Sequence, residues 1–175
     1  MTDILPLKPF GTPAPVTLTG DFSLRSNAIS VRFDLDDPQQ IVRNTLATGE
    51  WNEAPRVDGL WKTTCFEAFW SEPGSAAYWE LNLSPSGAWQ LYRFTAERTP
   101  QPPQASNDFA LISLHTTPAT VTAELTTSLR LAAVDVSLTA VIETAERQFF
   151  YAVTHAGPRP DFHRRDSFTI RRTLE

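Results

Sequence analysis

The sequence predicts an all-β fold, a single-domain antiparallel β-sandwich of jelly-roll type with little helix spanning residues 1–175. Three observations lead there. Apolar and polar residues alternate with a period of two through most of the chain, which is the pattern of half-buried strands. Fourteen prolines and many turn residues interrupt that pattern at short intervals, so long helices have no room. Finally, 175 residues with 41% hydrophobic and 20% charged side chains suit one ordinary globular core.

The elements follow in order. Val16 to Thr19 is a short strand, and Ala28 to Leu35 sets Ile29, Val31, Phe33 and Leu35 against Ser30, Arg32 and Asp34. Asp37 to Ala47 reads either as a helix or as an irregular crossing loop. For the helix, Asp36 or Asp37 would cap it, Pro38 suits its first turn, and Ile41, Val42, Thr45 and Leu46 would share a face. Thr63 to Trp70 is mixed on both faces, as expected of a central strand. Tyr78 to Ser84 separates Trp79, Leu81 and Leu83 from Tyr78, Glu80, Asn82 and Ser84. Ser84-Pro85-Ser86-Gly87 then makes a tight turn, and Ala88 to Phe94 runs back antiparallel. After a proline-rich loop from Thr99 to Asn107 come Phe109–Thr116, Thr120–Thr127, Ala133–Glu143, Gln148–Thr154 and Ser167–Arg172. No internal repeat or linker divides them.

Composition narrows the function classes. A net charge of -5 argues against nucleic acid or an anionic membrane as partner, since both demand a basic face. The locally basic stretch Arg159 to Arg172 is interrupted by aspartates and reads as a solvated strand end. Cys65 is the single cysteine, which excludes an internal disulfide and a thiolate-rich metal site; between Thr64 and Phe66 in a central strand it should be a buried, inert thiol. The first residues lack the basic-then-apolar order of a secretion signal, and no apolar run reaches membrane-spanning length. The expectation is a soluble, cytoplasmic protein.

The segment from Trp61 to Phe94 carries the chemistry. It holds four of the five tryptophans, together with Glu67 and Glu80 at positions that can face inward. Burying carboxylates among aromatics is costly unless a cation, a hydrogen-bond network or a ligand satisfies them. Strand parity sends Trp79 to the core with Leu81 and Leu83, and Trp70 and Trp89 also suit the core. Trp61, which enters its strand after Asp58-Gly59, is the better stacking face for a ring; Trp51 lies in a polar loop. Asn82, beside Glu80, suits a ligand hydroxyl or a buried backbone bond. Arg56, Asp58, Lys62 and Arg93 could form a charged rim, and a guanidinium fork such as that of Arg93 would suit an acidic group. If the two strands pair, Glu67 and Glu80 approach the spacing of a retaining glycosidase, about 5–5.5 Å. Equally, Lys62, Arg93 or Arg32 could neutralise them as structural partners.

Three blocks, RVDGLWKTTCFEAFW at Arg56 to Trp70, YWELNLSPSGAWQLYRF at Tyr78 to Phe94 and PDFHRRDSF at Pro160 to Phe168, resemble the DOMON-like ligand-binding domains. They are most similar to a bacterial branch related to family 9 carbohydrate-binding modules. The resemblance implies a β-sandwich with a ligand cleft on one sheet, where two aromatics clamp a sugar ring and a Glu bonds its hydroxyls. Trp61 and Glu67 match one clamp and that Glu. The second clamping Trp has no match, since all five tryptophans lie between Trp51 and Trp89, so Phe162 or His163 would take its place. Haem-binding members use a Met and a His. Met1 is the only methionine, and the three histidines, His115, His155 and His163, are scattered, so no haem or other cofactor is expected.

The sequence therefore points to a non-catalytic module for a small ligand, a carbohydrate or similar polar ring compound. Its expected site is Trp61, Glu67, Glu80, Asn82, Arg93, Phe162 and His163. A glycoside hydrolase using Glu67 and Glu80, and a haem-free interaction domain with a closed cleft, are the alternatives. The oligomeric state is not legible.

Overall fold

Alternation in the sequence becomes a set of antiparallel ladders. The computed structural model describes residues 4–11, 16–43, 49–51 and 53–174, apart from the side chains of Glu50 and Trp51. Among these residues the strands are β1 (Leu5–Pro9), β2 (Thr17–Arg25), β3 (Ala28–Asp36), β4 (Gly49–Trp51), β5 (Cys65–Ser71), β6 (Tyr78–Leu83) and β7 (Trp89–Phe94). They continue with β8 (Gln104–Ala105), β9 (Ala110–Thr117), β10 (Thr120–Thr126), β11 (Ala133–Glu143), β12 (Gln148–Ala152) and β13 (Ile170–Thr173).

One sheet has the order β4-β9-β10-β3-β2-β1, the other β1-β12-β11-β5-β6-β7-β8. β1 joins them, pairing with β2 through Leu5–Leu7 and with β12 through Lys8 and Pro9. β11 organises the second sheet. One of its edges runs along β5, while the other is shared between β13 at Ala133–Val136 and β12 at Thr139–Glu143.

The core lies between the sheets, where the apolar parities of both meet. Phe22 and Phe33 of the first sheet contact Trp70 and Phe66 of the second, with ring centroids 5.8 and 5.4 Å apart. Trp70 and Trp79 stack beside them, and Trp89 belongs to the same core. The sheets pack tightly at Gly20, where an added Cβ would stand 2.8 Å from Leu138 Cδ1.

Several expectations change. No helix forms over the described part of the Asp37–Ala47 candidate; that stretch is an irregular crossing loop, and residues 44–47 lie outside the described set. The Asp37 carboxylate accepts the Ile41 and Val42 N–H groups at 3.1 and 3.0 Å, and such local side-chain capture competes with helical bonding. Among the described residues, helix is confined to two single 3-10 turns, Leu60–Lys62 and Arg165–Ser167. The second delays the last strand to Ile170. β2 extends to Arg25, well past Thr19, and β1, β4 and β8 were not evident from alternation because they are short or proline-rich. Among the described residues, no helix is long and apolar enough to cross a membrane.

Candidate functional site

Register decides which side chains share the outer face of the second sheet. Directly opposed residues of an antiparallel pair point to the same side. Glu67 opposes Asn82 on β6 and Thr139 on β11, while Glu80 opposes Phe69 on β5 and Tyr92 on β7. Glu67, Glu80 and Asn82 therefore lie together on one face, and Phe66, Ala68, Trp79 and Leu81 fill the core on the other. A second apolar cluster covers this outer face. It consists of Phe69, Tyr78, Tyr92, Phe94 and Phe168, with Trp61 and Phe162 packed against it.

Within that aromatic layer is a cavity of about 250 Å³. Trp61, Phe94, Phe150 and Phe162 give it aromatic walls, and Glu67, Glu80 and His163 give it polar ones. Arg98, Gln101, Pro103 and Pro160 come from the loops around it, and Val141 from β11.

Each part is held by local structure. Gly59, with φ of 78°, adopts the left-handed backbone that opens the 3-10 turn of Leu60–Lys62 and so carries Trp61 over the sheet. There its ring meets Tyr92 edge-on at 5.6 Å. Tyr92 OH donates to Asp58 Oδ1 at 2.9 Å, which ties the turn down from beneath. On the other side, Arg98 also takes a left-handed φ, 52°, and points its N–H at Tyr78 OH, 3.1 Å away. A non-glycine residue held there marks a loop fixed by its surroundings. Arg98 Nη2 donates to Asp161 Oδ1 at 2.7 Å, and Asp161 also accepts the His163 N–H. This bridge joins the loop after β7 to the loop after β12.

The polar groups are buried and sparsely partnered. Glu67 is 2% exposed; Thr139 Oγ1 donates to its Oε2 at 3.2 Å, and its Oε1 has no partner. Glu80 is 4% exposed and accepts a bond from Asn82 Nδ2 at 3.0 Å. Its Oε2 faces His163 Nε2 at 3.6 Å, beyond hydrogen-bond length. His163 Nδ1 is 2.8 Å from Tyr78 OH. Burial pushes both carboxyls up, Glu80 to about 7 and Glu67 well above its ordinary range, with the field of Glu80 adding to the effect on Glu67. Burial also lowers His163 to about 4, so the imidazole is neutral at neutral pH. Cys65, on the same face as Glu67, is fully buried, with its thiol pushed up by burial and by the two carboxylates.

Of the residues singled out from sequence, Trp61, Glu67, Glu80, Phe162 and His163 all line the cavity. Asn82 stands behind it as the partner of Glu80, its Oδ1 unpaired. Arg93 does not belong to the site. It opposes Trp79 in the β6–β7 ladder, which puts it on the core side of the sheet, and its guanidinium lies over the Trp79 ring at 4.0 Å near Asp108. The proposed charged rim also dissolves. Arg56 bonds Gln90, Asn107 and the Ser106 carbonyl, so with Asp58 it braces the loop leading to Trp61. Arg32 pairs with Asp34 in the other sheet and neutralises neither glutamate. Sequence reasoning missed Phe94, Arg98, Gln101, Pro103, Val141, Phe150 and Pro160. Phe94 could have been found, since it shares parity with Tyr92.

No protein-family model and no curated protein sequence matches the chain. Solved structures do match. A candidate carbohydrate-binding protein from Bacteroides uniformis aligns over 99% of this chain and 87% of its own, with TM-score 0.69 and 12% identity. A family 9 carbohydrate-binding module from Caldicellulosiruptor kristjanssonii in complex with cellotriose aligns over 99% and 83%, with TM-score 0.65 and 10% identity. A family 9 module from the same organism in complex with glucose aligns over 99% and 84%, with TM-score 0.66 and 10% identity. At these identities the likeness is one of architecture: the chain has the β-sandwich fold of family 9 carbohydrate-binding modules.

Proposed function

We propose that the protein is a non-catalytic module that binds a carbohydrate, one sugar ring deep, in the cavity on the outer face of its second sheet. The observation that carries this is the coincidence of aromatic walls with buried, under-partnered hydrogen-bonding groups in one cavity. A sugar ring presents apolar faces and a polar rim, and that combination satisfies both kinds of wall. In this reading Trp61 stacks on the ring, with Phe162 and His163 on a further side, and Glu67 and Glu80 accept from hydroxyls. Asn82 holds Glu80 in place. A volume of about 250 Å³ is below the roughly 300–1,000 Å³ of drug-sized ligand pockets and suits a monosaccharide or a chain end. The solved structures with cellotriose and glucose support the same class of ligand.

Binding without turnover is the better reading of the glutamate pair. Double displacement needs one carboxylate held ionised as nucleophile and one protonated acid. Here burial favours the protonated form of both, and among the described residues no lysine or arginine forms an ion pair with either. A cytoplasmic setting is supported by the lone, buried Cys65. The test is isothermal titration with a panel of monosaccharides and short oligosaccharides, alongside chromogenic glycosides. Saturable binding that falls about tenfold in Trp61→Ala, with no glycoside cleaved, is expected. Turnover abolished by Glu67→Gln, or a panel without any binding, would overturn the proposal.

A further inference from the structure

The groups around His163 fix which of its ring nitrogens carries the hydrogen. Tyr78 is buried, and burial keeps its proton in place by pushing the phenol up to about 12. Its oxygen accepts the Arg98 N–H at 3.1 Å and lies 2.8 Å from His163 Nδ1. A phenol has one proton to give, and among the described residues Nδ1 is the acceptor within its reach. Were Nδ1 protonated, the phenolic proton would be buried without a partner, a costly arrangement. Nδ1 therefore accepts, and the neutral ring carries its hydrogen on Nε2. Edge-on contacts with Phe69 and Phe94, at 5.3 and 5.1 Å, hold the ring in that orientation.

His163 Nε2 and Glu80 Oε2 are 3.6 Å apart, too far to bond each other and close enough to share a third group. Glu80 Oε1 is engaged by Asn82, but among the described residues neither Oε2 nor Nε2 has a hydrogen-bond partner. Both residues line the cavity, and both atoms stay open where Glu67 Oε1 is sealed. Arg98 at the rim is bonded to Asp161, yet its field still reaches Glu80 and helps that carboxyl ionise at about 7. Glu67, Cys65, Tyr78 and Tyr92, the other titratable groups around it, are all pushed upward by burial. Above pH 7 the pair thus offers one donor and one acceptor to the same point. A hydroxyl both gives and takes a hydrogen bond through one atom.

Resting on the carbohydrate-binding reading above, we propose that His163 Nε2 and Glu80 Oε2 together grip one sugar hydroxyl, the imidazole donating and the carboxylate accepting, and that Tyr78 is the positioning residue that holds the imidazole in its donor form. The aromatic walls accept a ring in more than one orientation, whereas this pair asks for a hydroxyl at one point.

Long-range proton–nitrogen NMR of the protein alone at pH 8 reads the role of Tyr78. His163 should be a single neutral species with its hydrogen on Nε2, and in Tyr78→Phe both ring nitrogens should move towards the averaged values of a free imidazole. A hydrogen on Nδ1 in the wild type, or nitrogens unmoved in the variant, would overturn the proposal. Isothermal titration at pH 8 with glucose, galactose, mannose and xylose reads the hydroxyl. Sugars that bind the wild type should bind His163→Phe, which keeps a ring but no donor, roughly tenfold more weakly. His163→Gln, whose amide can place an N–H near the same point, should recover affinity to within about threefold. For each such sugar one singly deoxygenated form should show a similar loss, and His163→Phe should bind that form and its parent within about threefold of each other. Equal affinity in His163→Phe, or no deoxygenated form that loses binding, would overturn this inference and leave the carbohydrate reading standing. If none of the four sugars binds, the carbohydrate reading fails and this inference falls with it. Far-UV circular dichroism checks that each variant is folded; should one unfold, the wild-type tautomer and the deoxygenated sugars decide the matter.

Discussion

Replacing Glu80 by Gln removes a titration while keeping the shape of the protonated acid. In the folded protein burial pushes the Glu80 carboxyl up to about 7, against 4.5 for an unperturbed side chain. A carboxyl with a folded value above its unfolded one keeps a proton that the unfolded chain has released. Stability is therefore highest below about 4.5, falls as pH rises towards about 7, and is flat above that. The gap is equivalent to about 3 kcal/mol of destabilisation at pH 8. Gln carries no charge to bury, and its carbonyl can still accept from Asn82 Nδ2. Glu80→Gln should then be about 3 kcal/mol more stable than wild type at pH 8, which for a chain of this length is roughly 6–12 °C in Tm. Near pH 4.5 most of that gain should vanish. Thermal melts followed by far-UV circular dichroism at pH 4.5, 6 and 8 measure it. A variant that melts at or below the wild-type temperature at pH 8 would refute the reasoning, because it would mean that an unseen partner compensates the carboxylate. A gain independent of pH would refute it as well.

Other perturbations test the fold and the boundaries of the site. Gly20→Ala places a Cβ 2.8 Å from Leu138 Cδ1 and 3.3 Å from the Arg32 carbonyl, so the buried Leu138 side chain or the strand must shift; chemical denaturation should report a loss of about 1–3 kcal/mol. Tyr78→Phe orphans the Arg98 N–H and His163 Nδ1, which should cost about 1–3 kcal/mol in the same assay. Arg93→Ala should leave sugar affinity within about twofold of wild type and cost no more than about 1 kcal/mol of stability, the value of its stacking on Trp79. A large loss of binding in that variant would return Arg93 to the site.

The central hairpin was legible because burial leaves it one option. Trp79, Leu81 and Leu83 must face the core, so Glu80 and Asn82 face away, and the opposition of Glu67 and Asn82 follows once β5 and β6 pair. Arg93 was misplaced although the same logic applied to it. The turn at Ser84–Gly87 sets Leu83 against Trp89, and counting back from there puts Arg93 opposite Trp79. Charge suggested a rim, and register overrode it. The loops were not legible from pattern, since Arg98, Gln101 and Pro103 reach the cavity through irregular backbone that has no period. Phe162 and His163 were nominated by family resemblance alone, and their approach depends on the Arg98–Asp161 bridge between segments distant in sequence. The Asp37 stretch had two readings because the residue that caps a helix also closes a turn, and Asp37 does the latter.

The most direct measurement is a two-dimensional amide and indole NMR titration of the protein with glucose and cellotriose. Binding in the proposed cavity predicts saturable shifts for the Trp61 indole and for the amides of Glu67, Glu80, Phe94 and His163, while the core indoles of Trp70 and Trp79 stay in place. Shifts centred on the opposite sheet, or spectra unchanged by these and every other sugar tried, would contradict a carbohydrate site on this face.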